Sequence, residues 1–280
     1  MFKKPIIVIL SLLSLCIYLF AEAPPPLPDD KTSAGAERVS MSDVFNMLAT
    51  ENNVVRGLYT RRIVGDGKIQ KLAFHERWHN DTIEAGPLPA LFLRETALQL
   101  EKSGVRLGLF LGSNFPIVAT NQLIDKQLAM FEEMKIDKKP RFFYDENTQR
   151  HTAMFMDVAS APACVSCHNQ HPNSPKTDWK LGDIMGATTW TFPKDSVSMD
   201  EVRSLLAAYR QSAASAYSTY LEKMNKNKKN KIPEIGTKWP HQGYFLPSTA
   251  VFMDSLNTLT AKYTLHTLLN LSKKSYVVQK

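Results

Sequence analysis

The sequence predicts an α+β fold with a helical C-terminal extension. Two observations carry that prediction. Segments with apolar residues every three to four positions are mixed with short apolar β-runs. The two kinds do not follow one another in the regular strand–helix order that a parallel sheet requires. The composition agrees, since 44% hydrophobic and 22% charged residues over 280 positions can bury a sizeable core.

The elements follow in order. Ser40 to Tyr59 is a helix, with Val44, Phe45, Leu48, Val55 and Leu58 near a 3.6-residue period. Gly65-Asp66-Gly67 is a turn. Pro87 to Lys102 is a helix, apolar almost all round and therefore expected to be buried. Val105 to Leu111 is a strand. Asn121 to Met134 is an amphipathic helix with Leu123, Ile124, Leu128, Phe131 and Met134 on one side. Arg141 to Tyr144 and Gln149 to Val158 form a hairpin across Asp145-Glu146-Asn147-Thr148. Gly186 to Phe192 is a further strand, closed by Pro193. Ser198 and Glu201 make a capping box that opens a long helix. Pro233 to Pro247 is irregular, and two short helices follow near 248–258 and 260–271. Asp178 and Asp183 are expected to cap turns.

The N-terminus reads as an export signal. Lys3 and Lys4 precede the apolar stretch Pro5 to Phe20, and Ala21-Glu22-Ala23 offers a cleavage site. Residues 1–23 are thus a signal peptide or an uncleaved anchor, with residues 5–21 able to hold the chain at a membrane. Cys16 falls inside this leader. Residues 24–38 are a linker rich in Pro and Asp. The expected location is the periplasm. The net charge of +7 gathers most densely at Lys223 to Lys231, which carries no aromatic residue for base stacking. It reads as a solvated connector, and no nucleic-acid partner is expected.

Cys164-Val165-Ser166-Cys167-His168 carries the chemistry. C-x-x-C-H is the attachment sequence for c-type haem. Two thiols at that spacing add to the two vinyl groups of one porphyrin edge, and the histidine that follows becomes the iron ligand. Export favours the same reading. Three others compete on the residues alone. A C-x-x-C pair can be a thiol–disulfide redox centre. Cys164, Cys167, His168 and His171 can be zinc ligands. The two cysteines can form a plain disulfide.

The stretch Cys164 to Gly186 (CVSCHNQHPNSPKTDWKLGDIMG) resembles the PAS-like single-haem c-type sensor domain family of bacteria. That family often forms the periplasmic part of sensor kinases and chemotaxis receptors. Gly57-Leu58-Tyr59-Thr60 and Leu109 to Asn121 are similar to it more loosely, so the resemblance spans roughly residues 40–195. It implies a PAS-like haem domain over 39–195, a small antiparallel sheet flanked by helices, and an extension over 196–280. It also implies one covalent haem on Cys164 and Cys167, with His168 as the proximal iron ligand. Lys176, Trp179 and Lys180 would then lie near the haem edge, at the propionates. Some relatives use a distant Cys as sixth iron ligand. The only other cysteine here is Cys16, in the leader.

The sixth ligand stays open. Met154 and Met156 share one side of a strand, and Met154 is counted among the cofactor-binding residues. His75 and His79 would share a helix face, with His79 the candidate of the two. An open position would admit a small gas. His151, His241 and His266 are weaker choices. The expected function is a redox or gas-sensing module acting through a separate signalling or redox partner, with a homodimer as a further association. The alternative is a monohaem electron carrier. A haem enzyme would need an acid–base pair such as Arg94 and His79, and no motif singles one out.

Overall fold

The computed structural model describes residues 38–228 and 230–278, with side-chain surroundings up to residue 270. The leader, Cys16 included, and nearly all of the linker lie outside the described residues. Among the described residues no helix is long and apolar enough to cross a membrane.

Ser40 opens helix α1 (Met41–Leu58) by accepting the Asp43 N–H at 3.1 Å, which satisfies a donor the helix itself cannot. Val44, Phe45, Leu48 and Val55 face inward. The chain does not turn at Gly65-Asp66-Gly67 as expected. It continues as a π-helix over Tyr59–Gly65 and a helical turn over Asp66–Ile69. Ile63 and Val64 are buried and hold this stretch against the core. Gly67 makes room for the returning chain, since a Cβ there would lie 3.0 Å from Leu72 Cδ1.

Helix α2 (Pro89–Lys102) starts with Pro89 in its first turn, where a missing N–H costs nothing. It is one-sided rather than buried all round. Phe92, Leu93 and Leu100 are enclosed, while Leu98 is 42% exposed. Strand β1 (Gly108–Gly112) is shorter than expected. Helix α3 (Asp125–Asp137) begins after Ile124, which is 62% exposed instead of facing the core. The hairpin forms as expected from β2 (Arg141–Asp145) and β3 (Arg150–Val158). Asp145 accepts the Asn147 N–H at 3.1 Å and shapes the turn. A nine-residue helix α4 (Pro162–Gln170) follows, then β4 (Ile184–Phe192).

The four strands form one antiparallel sheet in the order β1-β4-β3-β2. Successive residues of a strand face opposite sides, and the core divides accordingly. Ala153 and Trp190 join a large cluster with Val44, Phe45 and Tyr209. Met154 and Ala187 join a second cluster with Leu123, Phe131 and Met134. The chain is thus α+β, with an antiparallel sheet flanked by helices.

Helix α5 (Met199–Asn225) opens with the expected capping box, Ser198 and Glu201 each bonding the other's backbone N–H. Its Val202, Tyr209 and Tyr217 lie in the same cluster as α1. The segment 233–247 is more ordered than expected, because Glu234–Gly236 and Phe245–Pro247 pair in parallel. The two short helices expected after it are one helix, α6 (Thr249–Val278). The Thr258 and Thr260 hydroxyls each bond back to a carbonyl four residues earlier, at 2.9 and 3.0 Å, so the chain passes both without a break.

A buried carboxylate ties α1, α5 and α6 together. Glu51 is 1% exposed and receives Arg210 through Nε at 3.0 Å and Nη2 at 2.7 Å. Thr264 bonds the same carboxylate, and Arg210 also reaches Thr260 Oγ1 at 3.0 Å. Replacing Arg210 with Ala strands the Glu51 charge. We expect a loss of about 3 kcal/mol in urea unfolding. A loss below about 1 kcal/mol would mean that water replaces the guanidinium there. Glu201→Ala should cost about 1 kcal/mol at neutral pH by removing the capping box. The Lys194 ammonium and the Ser198 N–H hold the Glu201 carboxyl below its ordinary range. Its contribution is therefore complete above the usual carboxyl range and fades as pH falls through the depressed value. The gap between variant and parent should close in acid, as thermal melts across pH would show.

Candidate functional site

The site begins where β3 ends. Asp157 accepts Arg56 Nη1 at 2.5 Å and the Thr188 hydroxyl at 3.1 Å. The β3–β4 register slips immediately afterwards, between Asp157 and Val158. Such a bulge bends a strand and redirects the chain. Ala159 then donates to Asp183 O at 2.9 Å and accepts from Gly182 N at 3.0 Å. Pro162 sits in the first turn of α4, and the helix carries the C-x-x-C-H sequence.

Positions i, i+3 and i+4 of a helix share a face. Cys164, Cys167 and His168 have that spacing and lie within α4, so two thiols and one imidazole project on one side. Cys164 is half-buried and Cys167 exposed. His171 is the C-cap, with extended backbone, and its Nε2 meets Glu76 Oε2 at 2.9 Å. Among the described residues no three His, Cys, Asp or Glu side chains converge to hold a metal ion. His171 is thus engaged by Glu76.

The chain folds back over α4 after His171. Trp179 is 5% exposed in a stretch whose neighbours are mostly exposed. The Asn169 side-chain amide holds it, donating to Trp179 O at 3.0 Å and accepting Trp179 N–H at 2.9 Å. The indole stands edge-on to the His168 ring, with centroids 6.5 Å apart and planes at 86°. Phe115 packs edge-on against it at 6.3 Å, and Lys176 Nζ lies 4.9 Å from the ring centroid. Lys176 also pairs with Asp178. Asp183 caps a turn as expected, accepting the Lys180 N–H at 2.8 Å. Asp178 is instead the partner of Lys176.

His168 Nδ1 and Trp179 Nε1 are both buried without a hydrogen-bond partner. A buried polar group in that state calls for an explanation outside the protein's own bonds. Burial, and then the nearby His171, push the His168 pKa down, which favours the neutral ring. Desolvation, then the Glu76 carboxylate and Cys164, push the Cys167 thiol up against a smaller opposing effect of Lys68.

The other histidines are engaged elsewhere. His79 Nε2 meets Glu95 at 3.1 Å, and its ring lies 3.8 Å from that of Trp78. His75 accepts the Arg77 N–H at 3.0 Å. The two do not share a helix face, since Phe74–His75 is a short strand followed by turns. His151 packs on Tyr144, His241 meets Arg62, and His266 meets Asn270. Arg94 is held by Asn121 at 2.8 Å, so it makes no pair with His79. Met154 is enclosed in the second core cluster, and Met156 packs against it. Sequence reasoning missed Asn169, Glu76, Phe115 and the Arg56–Asp157 pair. Each acts through a partner distant in the chain or through a backbone group, and no spacing rule marks either.

A family model described as Tll0287-like matches residues 46–193, more than half of the chain. The chain belongs to the Tll0287-like family. No curated protein and no solved structure is similar enough to match it.

The raised Cys167 thiol has a measurable consequence. In reduced protein carrying Cys164→Ser, Cys167 should react with iodoacetamide at pH 7 several-fold more slowly than free cysteine. A raised pKa leaves less thiolate at that pH, so the rate should keep climbing beyond the midpoint of the free amino acid. A rate above that of free cysteine would mean that burial and Glu76 do not control this thiol.

Proposed function

We propose that this chain is an exported protein carrying one covalent c-type haem on Cys164, Cys167 and His168. It would act in the periplasm as a redox or small-ligand sensing module, through a separate protein partner. The observation that carries the reading is the placement of Cys164, Cys167 and His168 at positions i, i+3 and i+4 of one helix, α4. The family match over 46–193 covers the stretch that resembles the single-haem sensor domains, which supports it.

The residues present fit the group. Cys164 and Cys167 would supply the two sulfurs and His168 the proximal nitrogen. The His168 ring has a buried nitrogen that no amino acid satisfies, a state suited to a histidine whose partner is not protein. Bound haem supplies a one-electron iron centre able to take a small ligand. The chain's own contribution is to hold and cover. Trp179 shields one edge of the His168 ring and Lys176 lies over the indole; the resemblance implies that Lys176 and Lys180 would face carboxylates at the haem edge. Met154 serves the core and His79 serves Glu95, which supports a displaceable ligand, or none, on the sixth position. That favours sensing over simple electron transfer.

The test is spectroscopic. Protein exported in a host that matures c-type cytochromes should show a covalent haem spectrum, and Cys164→Ala with Cys167→Ala should abolish it. Adding carbon monoxide to the reduced form should shift the Soret band. An unshifted band would move the assignment to an electron carrier. A chain exported without covalent haem would overturn the reading altogether.

A further inference from the structure

We propose that Asn169 is a positioning residue that sets the Trp179 indole against the His168 imidazole. The role in setting iron properties rests on the haem reading above. The clamp itself does not.

The argument starts from helix geometry. Asn169 follows His168 directly, so it projects about 100° further round α4. That turns it away from the face of the three donors and toward the returning chain. One carboxamide offers both a donor and an acceptor. Asn169 spends both on the backbone of a single residue, Trp179, at 3.0 and 2.9 Å. A residue ten positions away is thereby locked as a strand partner would lock it.

The ring itself packs against Phe115 and Lys176, and the backbone that carries it is held by Asn169. Most of 172–182 is exposed, and its other anchors lie at its ends. Ser174 bonds Lys176 O at 2.7 Å, and Asp183 and Gly182 bond back to Ala159. Neither contact fixes the plane of the Trp179 ring. The ring nonetheless stands at 86° to His168, with its own Nε1 buried and unpartnered. Asn169 thus acts on the imidazole through Trp179. It keeps the indole edge-on to the imidazole.

Hydrogen exchange and potentiometry on the haem-loaded protein test this. Asn169→Ala should speed exchange of the Trp179 amide at least tenfold. The midpoint potential should shift in the same direction and by a similar amount in Asn169→Ala and in Trp179→Leu. The double variant should shift no further than Trp179→Leu alone, because the first residue acts through the second. Asn169→Asp keeps the acceptor but loses the donor at neutral pH. It should give intermediate protection. Asn173→Ala, in the same exposed stretch, should change neither readout. Unchanged exchange in Asn169→Ala would overturn the proposal, as would additive shifts in the double variant. If the parent chain carries no covalent haem, the functional reading fails, and exchange on the full haem-free chain still decides the clamp.

Discussion

Asp157 closes the regular part of β3 with a guanidinium on one oxygen and a hydroxyl on the other. The rest of the site depends on that termination. Hydrogen bonds to a charged group are worth roughly 1.5–3 kcal/mol each, enough to fix where the strand stops pairing. Arg56 comes from α1 and Thr188 from β4, so the end of the strand is registered against the main helix and the central strand together. The bulge that follows turns the chain, and Ala159 ties it to Gly182 and Asp183 on the far side of the loop. Both ends of the segment carrying α4 and its covering strap are therefore pinned to one corner of the sheet. The helix between them need only be helical for its three donors to share a face.

The two sides of the sheet are used differently. On one side α3 closes a small apolar cluster, and Met154 fills it. On the other, α1, α2 and α5 build the large core, joined by the Glu51–Arg210 contact to α6. Ala153 and Met154 are neighbours in sequence and serve these two different cores. A methionine on a strand shortly before the motif looks available to a metal in one dimension. In three it is packing material, as a flexible thioether commonly is.

How much of this could be read from the sequence follows from where each signal lies. The Ser198 capping box, the hairpin and the start of α1 were legible because their partners sit within a few residues. The C-x-x-C-H face was legible for the same reason, since helical periodicity alone brings Cys164, Cys167 and His168 together. The continuity of α6 was not, because Thr260 looks like a break until Arg210 and the helix's own carbonyls take its hydroxyl. Ile124 follows a helical period perfectly well, yet α3 starts one residue later and leaves it outside. The path through Gly65-Asp66-Gly67 is decided by burial of Ile63 and Val64 rather than by the glycines. Glu76 reaches His171 across ninety-five positions, and nothing local announces it.

The histidines show how the structure ranks alternatives that the sequence leaves level. Seven are present, and spacing alone makes several of them plausible ligands. Six find a carboxylate, amide, guanidinium, backbone N–H or aromatic partner within the protein. His168 alone combines a desolvated ring with a buried nitrogen that nothing satisfies. Leaving such a group unpaired costs about 1–3 kcal/mol, and a fold under no other demand would bury an apolar residue there. Trp179, beside it, repeats the pattern with its own unpartnered Nε1. These two unpaired nitrogens lie on adjoining rings beside the C-x-x-C-H helix. A zinc ion would draw His171 inward, yet that ring is held by Glu76. On the proposed reading, a flat, covalently tethered group would use the two thiols and the imidazole together.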